Sequence, residues 1–401
     1  MTPIDRGDDA PWMRAVRSAG LVSADGTVRP TIFAEMSALA AQFDAVNLGQ
    51  GFPDDAAPAA VLDAAIEAIR AGVNQYPPGR GFAELREAIA EHQERFNGLT
   101  IDPATEVLVT AGATEAIAAS LLAFAGTGDE VITFEPFYDS YAAIIGLSGA
   151  THVTIALHGP DFQPAPADID AAFNDRTRVI VLNSPHNPTG SILEPQHVER
   201  VVALAAKHNA IIVSDEVYEH LIYDGRPHMP VATLPGARER TLTISSAAKT
   251  FSVTGWKIGW VTGPAALVDA VLGVKQWLTY VNGAPFQGAV ARGLRLGDDY
   301  FDTLRATLQR RRDLLAAGLI AAGFRIAPTA GSYFIVAEHP TLGDAATSAR
   351  ALAAHPGVVT IPLSAFGRAG GSVSDTALRF AFCKPDDVIA EGVRRLQSLS
   401  R

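Results

Sequence analysis

Apolar residues return at helical spacing in Phe33, Met36, Leu39, Ala40 and Phe43, which predicts a helix beginning near Ile32. Two glycines and a proline in Asn47-Leu48-Gly49-Gln50-Gly51-Phe52-Pro53-Asp54 break that period, so a loop is expected there. A helix over 57–71 precedes Asn74-Gln75-Tyr76-Pro77-Pro78-Gly79-Arg80-Gly81, too rich in Pro and Gly for regular structure. Short, continuous apolar runs then predict strands at 107–110, 130–134, 177–182, 210–213 and 241–244. Between them, 111–113 reads as a tight turn, and 114–124 and 195–208 as helices. Such runs belong to strands covered on both faces, so 60–295 reads as one mostly parallel α/β sheet with helices on both sides.

After Lys249 the glycines at 255 and 259 predict a loop, followed by a segment over 271–280, a helix running through Arg292 and another over 300–322. Short strands at 324–327, 333–336, 358–361 and 378–382 then interleave with helices, the pattern of a second, smaller α/β domain. The expected division is an arm or disordered leader over 1–30, a small domain of 31–59 with 296–401, and a large domain of 60–295.

With 401 residues, 48% of them hydrophobic, the chain can bury a large core. Lys plus Arg number 32 against 43 Asp plus Glu, a formal net charge of -11, so neither nucleic acid nor an anionic membrane is an expected partner. Apolar stretches such as 116–125 are too short to span a bilayer, and the first twenty residues carry Asp5, Asp8 and Asp9 without an apolar leader; a cytoplasmic protein is expected. The single cysteine, Cys383, excludes a disulfide within the chain and sits beside the apolar run 378–382, where it fits a core.

Several residues carry possible chemistry. Lys249, one of five lysines, has small uncharged neighbours in Ser246, Ala247, Ala248 and Thr250; partial desolvation would lower its pKa and free its amine for covalent work, while the plain alternative is a surface lysine. The strand, glycine turn and helix at 107–124 make an anion site from the free N–H groups near Ala113 and Thr114. Pro136 directs Phe137 and Tyr138 off a strand end, where an aromatic can stack on a flat ring. Asp215 and Glu216 close an apolar strand, and a carboxylate there needs a cation; strand alternation does not choose between them. Arg379, inside the last apolar strand, needs an anion, whether a structural partner or a ligand carboxylate.

Ser246-Ala247-Ala248-Lys249 followed by Gly255-Trp256-Lys257-Ile258-Gly259, with Asn187-Pro188-Thr189-Gly190 after a buried strand, resembles the fold-type I, pyridoxal phosphate (PLP) dependent aminotransferases of class I/II. The resemblance runs from about Phe33 to the end. It implies that Lys249 holds PLP covalently and moves the substrate Cα proton, and that Ser246, Lys257, Ala113 and Thr114 hold the phosphate. Many members have arginine where this chain has Lys257, which keeps the charge and loses the bidentate fork. It further selects Tyr138 to stack, Asp215 to face the ring nitrogen, and Asn187 and Tyr218 to meet the ring hydroxyl. Arg379 with Asn187 is implied to orient the substrate α-carboxylate, Gly49 and Phe33 to line the substrate side, and Tyr76 to reach the cofactor of a second subunit in a homodimer with shared sites.

No metal is expected. The reaction implied is ping-pong amino transfer between an amino acid and a 2-oxo acid. Likeness extends to N-succinyldiaminopimelate aminotransferases of lysine biosynthesis, the favoured substrate reading, and to kynurenine/glutamine/methionine transaminases; a PLP C–S lyase on the same fold is the other alternative. An acidic substrate needs a second cation, for which Arg80 is the candidate.

Overall fold

The structure, a computed structural model, describes residues 10–368 and 370–400. Strand β1 (Val46–Asn47) follows the helices Pro11–Ser18 and Ile32–Phe43. The strands β2 (Val107–Ala111), β3 (Glu130–Glu135), β4 (Thr151–His158), β5 (Gln163–Pro164), β6 (Thr177–Asn183), β7 (Ile211–Asp215), β8 (Thr241–Ser246) and β9 (Ile258–Thr262) form one sheet in the order β2-β9-β8-β7-β6-β3-β4-β5. From β8 to β4 neighbours run parallel; β9 is antiparallel to both β2 and β8, and β5 is antiparallel to β4.

Alternation along β6 explains why the strand is apolar throughout. Val179 and Val181 pack with Ala116, Ile117, Tyr141 and Val268 from helices on one face. Ile180 and Leu182 pack with Ile169, Val198 and Val201 from helices on the other. This is the doubly covered, mostly parallel α/β sheet expected for fold type I.

Strands β10 (Arg325–Ile326), β11 (Phe334–Glu338), β12 (Val358–Val359), β13 (Ile361–Pro362) and β14 (Leu378–Ala381) follow the helix Asp298–Ala321. The order β10-β11-β14-β13 makes an antiparallel sheet, while β12 pairs in parallel with β1. Met36 and Leu48 from the N-terminal part share one buried cluster with Leu315, Leu352 and Phe380, so residues distant in sequence close the same core.

Three local expectations change, and two strands at the sheet edge are added. In the arm, residues 1–9 lie outside the described residues, but Pro11–Ser18 is a helix that buries Met13 and docks on the helix Asp139–Ser148. Gly146 permits the approach, since a Cβ there would lie 2.7 Å from the Arg14 carbonyl oxygen. The helix after β2 begins at Gly112 rather than Thr114. The expected loop through Gly259 is instead β9 from Ile258 onward: a Cβ on Gly259 would come within 2.5 Å of the Gly112 carbonyl carbon, so this glycine marks two backbones in contact. Finally, β4 and β5 carry mixed polar and apolar residues at the sheet edge and lack the apolar run by which the inner strands are read.

Candidate active site

The carboxyl ends of β2, β3, β6, β7 and β8 open on one side of the large sheet, the side where ligands sit in open α/β folds. Strand β14 and the loop after β1 face this edge. Between them lies a cavity of about 310 Å³, the size of a small-molecule site. It gathers Phe33, Ala113, Thr114, Tyr138, Asn187, Asp215, Tyr218, Ser246, Lys249, Lys257 and Arg379, which are distant in sequence.

Asp215 ends β7 and is buried. The Tyr141 hydroxyl donates to its Oδ2 at 2.6 Å and the Val217 N–H to its Oδ1 at 3.4 Å. Burial dominates nonetheless and pushes the carboxyl up to about 6, with the Tyr141 hydrogen bond pulling the other way. Asn183, at the end of β6, donates from Nδ2 to the Asp215 carbonyl oxygen at 2.9 Å and accepts the Asn187 N–H at 2.8 Å. One side chain therefore ties the carboxylate strand to the turn that carries Asn187.

Lys249 lies on the short helix Ala247–Thr250 that leaves β8. Burial lowers its amine to about 8. Its Nζ donates to the Gly51 carbonyl oxygen at 3.2 Å.

Arg379, in β14, is 1% exposed. It donates from Nη1 to Asn187 Oδ1 at 3.0 Å and from Nη2 to the Gly49 carbonyl oxygen at 2.8 Å. The guanidinium carbon lies 4.0 Å from the Phe334 ring centroid and 4.5 Å from that of Phe366. Among the described residues its Nε has no hydrogen-bond partner and no carboxylate pairs with it. Burial depresses even this group, to about 10.

At the other end of the cavity, Gly112 begins its helix at φ +74° and Lys257 holds φ 54°. The positive φ favours glycine at 112, and Lys257 Nζ lies beside this helix N-terminus, 3.7 Å from where a Cβ on Gly112 would stand. Ser246 lies at the end of β8, and Tyr138 lines the cavity with Thr114, its hydroxyl pushed up to about 12 mainly by burial. The Tyr138 ring meets Tyr141 edge-on at 5.6 Å. Tyr218 is buried edge-on to Tyr333, its ionisation likewise opposed by burial.

Gly49, Tyr76 and Arg80 lie outside this cavity, Tyr76 being the residue expected to serve a second subunit. Gly49 does not line the cavity: its carbonyl is bound behind Arg379, and a Cβ there would press on Val359 and Ile361, while Gln50 and Gly51 face inward instead. Tyr76 is 79% exposed, against Tyr280 and away from this cavity. The Arg80 guanidinium pairs with Asp269 and donates to the Thr105 carbonyl oxygen at 3.1 Å, so it is not free to meet a substrate carboxylate in the cavity. Tyr141, Asn183 and Gly51 were not singled out by sequence. Tyr141 had one signal, its position one helical turn after Tyr138.

Residues 44–396 match the family model "Aminotransferase class I and II". The chain is 50% identical over 382 residues to the probable N-succinyldiaminopimelate aminotransferase of Mycobacterium tuberculosis, covering 92% of this chain and 96% of that protein. It is 36% identical to the methionine aminotransferase of Escherichia coli, covering 92% and 96%. The solved structure of the Mycobacterium tuberculosis N-succinyldiaminopimelate aminotransferase superposes with a TM-score of 0.90 at 48% identity, covering 92% of this chain and 97% of that one. A match over most of the chain in both sequence and structure fixes the family: this protein belongs to the class I and II aminotransferases and is a fold-type I, PLP-dependent transaminase.

Proposed function

We propose that the amino donor is N-succinyldiaminopimelate and the acceptor 2-oxoglutarate, in lysine biosynthesis, and that transfer runs by a ping-pong route on the residues gathered in the cavity. The 50% identical relative supports the choice of donor. The observation that carries the mechanism is Arg379, a buried guanidinium with an unpartnered Nε and no carboxylate among the described residues, beside a buried amine and a buried carboxyl. A substrate α-carboxylate supplies the missing anion.

PLP, when bound, supplies the electron sink that lets the substrate Cα proton leave. The cavity suits it at both ends: Asp215, raised by burial, regains its charge when a ring cation faces it, and the helix N-terminus with Lys257 suits a phosphate. In this reading Lys249 holds the cofactor covalently and its Nζ, once free, takes and returns the proton at Cα; an amine lowered to about 8 is poised for both. Ser246, Lys257 and the Ala113 and Thr114 amides hold phosphate. Tyr138 stacks on the ring, Asn187 and Tyr218 meet its hydroxyl, and Arg379 with Asn187 aligns the substrate. Phe33 borders the side-chain region, and Gly49 acts there through Arg379. Tyr76 completes the site of a second subunit in a homodimer. The same reading assigns 31–59 and 296–401 to the small domain, 60–295 to the large one, and the protein to the cytoplasm.

One observation favours broader specificity. The cations lining the cavity are Lys249, Lys257 and Arg379, each with a role above, and Arg80 is engaged elsewhere. Phe33 and Phe334 line the same space, which suits the apolar side chains of a methionine or kynurenine transaminase. A distal carboxylate must therefore find its cation on the second subunit. Single half-reactions decide: N-succinyldiaminopimelate should convert the loaded enzyme faster than methionine, glutamine or kynurenine, and the reverse order selects broad specificity. Release of pyruvate and ammonia from a sulfur amino acid would instead indicate the lyase.

A further inference from the structure

The loop after β1 presents three carbonyl groups to four separate donors. Gly49 O accepts from Arg379 Nη2 at 2.8 Å, Gly51 O from Lys249 Nζ at 3.2 Å and the Tyr333 hydroxyl at 2.7 Å, and Phe52 O from Lys384 Nζ at 3.1 Å. The loop is held from within as well, because Asn47 Oδ1 accepts the N–H groups of Gly49 and Gln50, both at 3.1 Å. Lys384 is anchored by Asp54 at 3.0 Å. Residue 51 must be glycine for this arrangement: a Cβ there would come within 2.6 Å of the Phe334 ring.

Lys249, on the short helix that follows β8, is thus held at its Nζ by this loop. Tyr333 is fully buried just before β11, and the face of its ring lies 5.6 Å from Lys249 Nζ. A carbonyl oxygen has two lone pairs, and here the Tyr333 hydroxyl takes one and the lysine the other.

We propose that the Gly51 carbonyl, aimed by the Tyr333 hydroxyl, is the rest position of the Lys249 amine whenever that amine is free, making Tyr333 a positioning residue for the proton-moving lysine. Gly51 O can only accept, so it meets the ammonium form best, and its dipole counteracts the burial that favours the neutral amine. Tyr333 keeps that dipole pointed at Nζ. Its removal leaves the carbonyl untethered, weakens its hold on the ammonium and lets the lysine stray from its working position. The loop and Tyr333 both pack with the small domain, so the position of that domain reaches the lysine through a backbone group rather than through a charge.

This inference rests on Lys249 being the working lysine, and its test separates the two claims. Apoprotein is labelled with a trace of an amine-acylating reagent across a pH series, and modification of Lys249 is read by peptide mass spectrometry. Tyr333→Phe should lower the pH midpoint of labelling by about half to one unit, raising the neutral-to-charged ratio of the amine at pH 7 about three- to tenfold. In the loaded enzyme, kcat should fall about tenfold while the substrate KM and the PLP dissociation constant stay within about threefold. An unmoved midpoint, even with lowered thermal stability or PLP occupancy, shows that Tyr333 is structural and overturns the proposal. A moved midpoint with unchanged kcat overturns it equally. Lys249→Ala, run alongside, tests the parent claim: if it retains turnover, the assignment of the lysine fails whatever Tyr333 does.

Discussion

Tyr141 donates its hydroxyl to Asp215 Oδ2 at 2.6 Å, and both side chains are buried. This bond is the main local support for a carboxylate that burial pushes toward its neutral form.

Asp215→Asn should therefore keep part of the cofactor and lose about a hundredfold or more in kcat, since an amide cannot stabilise a facing ring cation. Tyr141→Phe removes a bond that lowers the Asp215 pKa, so the pKa should rise and the acid limb of the kcat profile should move to higher pH. Steady-state profiles between pH 5 and 9 read both; an Asn variant at wild-type rate makes Asp215 structural.

Arg379→Lys retains a charge but loses the planar fork whose two arms reach Asn187 and Gly49. The expected cost is about 1.5 to 3 kcal/mol in kcat/KM, the scale of a hydrogen bond to a charged group. That loss should be shared by every amino donor, because all carry the α-carboxylate. A loss confined to one donor would put Arg379 on the side-chain end instead.

A shared site predicts complementation. Mixing Tyr76→Phe chains with Lys249→Ala chains places both defects in one site of a mixed dimer and leaves the other intact. Activity should partly return on mixing, and heterodimers without recovery would restrict each site to one chain.

His92 and His220 are buried with their Nε2 atoms 2.8 Å apart, beneath Phe96 and Phe301. Burial lowers His92 from 6.5 to about 3, so the unfolded chain binds the extra proton first as pH falls. The sign follows: stability is full above about 6.5 and declines below it, and His92 alone should contribute a loss of about 2 kcal/mol between pH 7 and pH 5. Urea unfolding at the two pH values measures it, and His92→Gln should reduce the difference without abolishing it, because burial also depresses His220.

The inner strands β2, β3, β6, β7 and β8 were legible because both of their faces are covered, and the cavity residues Asp215, Asn187 and Lys249 could be picked out because they end or follow those runs. Strand β9 was not, because Gly259 looks the same in sequence whether it frees a turn or admits a neighbouring backbone. Tyr141 and Tyr333 escaped for another reason: each acts through a second group, Asp215 or Gly51, and only the fold shows which acceptor a tyrosine finds. The pairing of Arg80 with Asp269 could not be read from sequence, because the two lie 189 positions apart.

The account stands on Lys249 as the residue that carries the cofactor. Purified protein reduced with borohydride, digested and mapped by mass spectrometry should show one pyridoxyl group, on the peptide containing Lys249, and the Lys249→Ala chain should show none and catalyse no amino transfer. A pyridoxyl group on Lys257 or another lysine, or undiminished transfer by the Lys249→Ala chain, would contradict it.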